Sequence, residues 1–86
     1  MPGIEEVRAA IALVNQKMQE GIAALQQGNL ALDEARAALV PATQGSTQEE
    51  MQHAHGSLAE VMQVISSVQA QISATINATE GYAGRL

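Results

Sequence analysis

The chain has 86 residues, nine acidic and four basic side chains for a net charge of -5, and no Cys, Trp or Phe. That composition excludes a disulfide scaffold, a cysteine-held metal, a thiol nucleophile and an aromatic base-stacking platform. The pI near 4.7, with Arg8, Lys17, Arg36 and Arg85 scattered, lacks the clustered cations that neutralise phosphates, so no nucleic-acid partner is expected. Apolar residues make up 47% of the chain, but Ala supplies much of that share, so one small domain is the ceiling.

The amino terminus, MPGIEEVR, opens with acids where a cleaved signal needs positive charge and then an apolar run. A cytoplasmic protein, or one exported without a cleaved signal peptide, is expected. From Ile4 onward the apolar residues keep time: Ile4, Ile11, Met18, Leu25, Leu32 and Leu39 recur every seven positions. Three residues after the first five come Val7, Val14, Gly21, Gly28 and Ala35. This is a heptad a/d pattern, and it predicts one helix over about 3–40. The Gly28-Asn29 pair offers a competing break into shorter helices, but the heptad phase runs through it unchanged.

Pro41 and Gly45 predict a loop over about 41–46, and Thr47 with Glu50 fits a capping box at the start of a second helix over about 47–80. There Met51, Leu58, Ile65, Ile72, Thr79 and Leu86 take a, and Ala54, Val61, Val68, Thr75 and Tyr82 take d. Residues 61–79 carry no charge, yet their Gln, Ser and Asn content argues against a membrane span. Gly81 and Gly84 predict a frayed tail over 81–86.

Folding these helices back on each other gives an all-α antiparallel hairpin in which paired residue numbers sum to 93. Ala35 then faces Leu58, Gly28 faces Ile65 and Gly21 faces Ile72. A glycine inside a helix costs about 1 kcal/mol relative to Ala, so this small-against-large seam predicts an unusually close approach of the two helices. A two-helix hairpin buries only one stripe per helix and is marginal alone. Ile22, Met62 and Ile76 at e, with Val64, supply a second apolar set. They predict a partner interface: a homodimer, or a heterodimer with a related helical hairpin, forming a four-helix bundle.

Glu50 and His53 have the Glu-X-X-His spacing that contributes metal ligands in helical bundles, with Glu49 adjacent. They sit at g and c beside the loop, not at core positions, and an acidic helix start explains them as well. No catalytic set is recognisable, since His53 and His55 point to different helix faces. The chain is therefore expected to be no enzyme, with no cofactor, metal or small-molecule substrate.

In outline, an acidic, Cys-free chain of two long amphipathic helices and a Gly-containing loop, Pro41-Ala42-Thr43-Gln44-Gly45-Ser46, resembles the Trp-X-Gly hairpin family of small type VII secretion proteins. Gly45 is in place with no Trp before it. The tail Tyr82-Ala83-Gly84-Arg85-Leu86 keeps a Tyr but ends in Leu86 where the family's export signal carries an acid. The resemblance implies antiparallel dimers that build four-helix bundles. The expected function is thus a protein–protein interaction module, a dimerising secretion-associated or adaptor protein. The alternatives are a ferritin-like metal-binding bundle using Glu49, Glu50 and His53, and a purely structural coiled-coil spacer.

Overall fold

The computed structural model describes residues 3–42 and 48–86, and it is an all-α hairpin of two helices, α1 (Ile4–Ala42) and α2 (Gln48–Gly84). The loop residues 43–47, with Gly45 and the Thr47 half of the expected capping box, lie outside the described residues. α1 begins where the Gly3 carbonyl accepts the Val7 N–H at 3.0 Å, with Glu5 and Glu6 in the first turn, where acids complement the exposed N–H groups. It runs without interruption through Gly28 and Asn29, which removes the three-helix alternative.

Two expected boundaries move. α1 does not stop at residue 40 but carries Pro41 and ends at Ala42. A proline there removes one ladder bond and crowds the carbonyl of Ala37 four residues back, and with only Ala42 beyond it the cost is confined to the last turn. α2 does not fray after residue 80 but continues through Gly81 to Gly84. Beyond it the ladder tightens, with Arg85 N–H donating to the Tyr82 carbonyl at 3.1 Å and Leu86 N–H to the Ala83 carbonyl at 3.2 Å.

The molecule measures 65 × 17 × 15 Å with a radius of gyration of 19.5 Å, against about 12 Å for a compact chain of this length. Two side-by-side helices have no third element to enclose a core. Of the described hydrophobic side chains only Ile76 is buried, at 4% exposure. The antiparallel register matches the expected one. The Thr79 hydroxyl lies 2.6 Å from Asn15 Oδ1, and Gln69 Nε2 donates to the Ile22 carbonyl at 3.5 Å, pairs whose numbers fall just above and below a sum of 93.

The rotation of the helices about their axes differs from the a/d seam. The a positions are half-buried on both helices apart from Ile4, as expected. Their inward companions are the e positions: Asn15, Ile22, Asn29 and Arg36 on α1, and His55, Met62, Gln69 and Ile76 on α2. Of the d positions, Val14, Ala35, Val61, Val68, Thr75 and Tyr82 are exposed, while Val7, Gly21, Gly28 and Ala54 are half-buried. Polar e residues able to bond across the pair, Asn15 and Gln69, turn that side inward. The hairpin therefore closes on a and e and leaves its d side open.

Candidate association face

In an antiparallel pair, rows displaced to the same side of each seam emerge on one side of the hairpin. The d row of α1 and the d row of α2 therefore share a face, flanked by the two g rows. A groove of about 460 Å³ at the open end shows this directly: Val7, Val14, Thr75 and Tyr82 from d line it together with Ala10 and Ala78 from g. Farther toward the loop the same face presents Val61 at 47%, Val64 at 61% and Val68 at 37% exposure from α2. Opposite them α1 offers only small residues: Gly21, Ala24, Gly28, Ala31, Ala35 and Ala38.

The expected partner residues are redistributed accordingly. Ile76 is buried inside the hairpin, and Ile22 and Met62 are half-buried in its a/e seam, so these three do not form an outward face. Val64 alone of the four stands in solvent. Among the expected seam residues Leu58, Ile65 and Ile72 are half-buried between the helices, while Ala35 is exposed.

Gly21 and Gly28 do not act as contact points within the hairpin either. A methyl group built on either meets nothing within 4 Å beyond its own helix, so no bulky neighbour requires their smallness. They sit at the edge of the d side, where the rotation toward e has moved them out of the line of Ile72 and Ile65.

The polar features belong to the inward side. One hydroxyl proton of Thr79 serves two acceptors, Asn15 Oδ1 at 2.6 Å and the Ile76 carbonyl at 2.9 Å. Both bonds form fully if the Asn15 amide is turned so that Nδ2 donates to Thr79, an orientation fixed by the network alone. Asn29 Oδ1 is buried without a hydrogen-bond partner among the described residues. The two ion pairs among the described residues, Lys17 with Glu20 and Arg36 with Asp33, are local to α1 and solvent-screened.

Glu49, Glu50 and His53 are exposed on the first turns of α2, and no group of three His, Asp or Glu side chains able to hold a metal occurs among the described residues. Among the described residues no helix is long and apolar enough to cross a membrane. Compared with known proteins, the chain matches no family model, no curated protein and no solved structure.

Proposed function

We propose that this chain is a non-enzymatic protein–protein interaction module, a helical hairpin that completes its core by packing its d/g face against other helices. The observation that carries this reading is that among the described residues the hairpin by itself buries one hydrophobic side chain, Ile76, while Val14, Val61, Val64, Val68 and Tyr82 stand exposed together. Burying a Val or Leu side chain contributes about 1.5–3 kcal/mol, so the free hairpin forgoes much of the stabilisation its sequence encodes. Covering the face recovers it. A dimerising adaptor or secretion-associated role is the class of work such a module performs, and the outline likeness to Trp-X-Gly hairpins supports the secretion-associated form by analogy.

Val68→Glu tests the reading. A charge in the middle of the face abolishes association and lowers helix content at micromolar concentration, while Leu13→Glu, on the outer side of α1 away from the seam, changes neither. Unaltered association and helicity in Val68→Glu would remove this face from the account.

A further inference from the structure

We infer that the occupant of the d/g face is a second copy of this chain, seated with both loops at the same end so that α2 of each copy lies against α1 of the other. The inference rests on the association reading above and adds the partner and its orientation, which is the reverse of the antiparallel dimer that the Trp-X-Gly likeness implies.

Surface area argues for a partner of this size. The hairpin exposes 6249 Å², where a compact chain of 9.0 kDa exposes about 4,900 Å². Two copies compacting to the surface of their joint mass would bury about 4,400 Å² in total. Half of that already reaches the obligate-homodimer range, which begins near about 2,000 Å². Charge argues for a like partner. Between Gly21 and Ala38 on α1, and from Ser57 to Ala78 on α2, the d and g positions carry no ionisable side chain, although the chain as a whole has a net charge of -5. Two acidic copies can meet there without desolvating like charges, and a basic partner finds nothing on this face to pair with.

Shape fixes the orientation. With paired numbers summing to 93, Val68 stands level with Leu25 and Val61 with Leu32. In a copy whose loop lies at the same end these levels are kept. The partner's Val68 then enters the four-residue hole of Gly21, Ala24, Leu25 and Gly28, and its Val61 the hole of Gly28, Ala31, Leu32 and Ala35, each at the i, i+3, i+4, i+7 spacing that receives a knob. The open space over Gly21 and Gly28 is where these knobs go. Placing the loops at opposite ends instead stacks α1 on α1 and α2 on α2. Small then meets small and valine meets valine, leaving a void on one side and a clash on the other.

The test uses the purified full chain, which has no native Cys, so Gln52→Cys takes one nitroxide label near the loop end of α2. Electron–electron double resonance on the dimer is expected to give a separation under about 30 Å, the width of a four-helix bundle plus labels. Loops at opposite ends give more than about 40 Å, because each label lies some fourteen residues from the middle of α2. Gly28→Leu, which in each copy fills the Val68 hole and the Val61 hole that share this residue, is expected to weaken the dimer by about 100-fold, with the helix content of the dissociated chain no lower than that of the dissociated unaltered chain.

A dimer with the long separation overturns the orientation and leaves the association reading intact. Full-strength dimerisation of Gly28→Leu overturns the knob-and-hole contact. A chain that stays monomeric at all concentrations overturns the second copy as occupant. If that monomer unfolds cooperatively and independently of concentration the association reading falls with it, whereas helices that melt for want of a partner leave that reading standing.

Discussion

Ile76 and Leu13 are both large apolar residues on long helices, yet their surroundings assign them opposite weights. Ile76 sits at 4% exposure between the helices, and Leu13 at 56% faces water on the far side. Removing buried methylenes forfeits transfer energy and leaves a cavity, so Ile76→Ala is expected to destabilise by about 2–4 kcal/mol. Leu13→Ala is expected to stay within about 0.5 kcal/mol. Urea unfolding midpoints at one fixed protein concentration check both, and equal losses for the two would show that Ile76 is not the centre of the hairpin. The Asn15–Thr79 pair matters for register more than for energy, because a polar contact at the open end is made at one sliding position of α1 along α2 and lost at its neighbours.

At the scale of the helix, glycine has a plain cost where nothing fills the space beside it. Gly56 lies on the exposed side of α2, and a methyl group there meets nothing within 4 Å. Gly56→Ala is therefore expected to stabilise by about 0.5–1 kcal/mol in free and associated chains alike, read from the same urea midpoints. A destabilising Gly56→Ala would mean that this surface too is covered.

The helices themselves were legible in the sequence, since six a positions in unbroken step on α1 and five on α2 admit no other period, and the register followed from matching the two frames. Three things were not legible. The apolar stripe spans d, a and e together, so periodicity locates its centre without telling which flank turns inward; the hydrogen bonds of Asn15 and Gln69 decide that. For the same reason Ile22, Met62 and Ile76 looked outward beside an a/d seam and are inward beside an a/e one. The end of α2 was obscured because Gly81 and Gly84 read as stop signals, whereas Gly81 is simply helical. Glu49, Glu50 and His53 gave a ligand-like spacing, and their exposed place on the first turns of α2 brings no third ligand beside them.

The whole molecule is a rod 65 Å long and 15–17 Å thick in which, among the described residues, one hydrophobic side chain is buried and the middle of the d/g face, from Gly21 to Ala38 and from Ser57 to Ala78, carries no charge. Such a rod holds its helices by a single seam, and long helices without a packed face are marginal in water. The association proposed for its d/g face would couple folding to dimerisation and make stability a function of protein concentration. The measurement that reaches this claim most directly is a dilution series in which mass by light scattering and helicity by circular dichroism are followed on the same samples. The account predicts a mass near twice 9.0 kDa at high concentration and a fall in helicity that tracks dissociation on dilution. A monomer whose helicity stays constant across the whole series would contradict it.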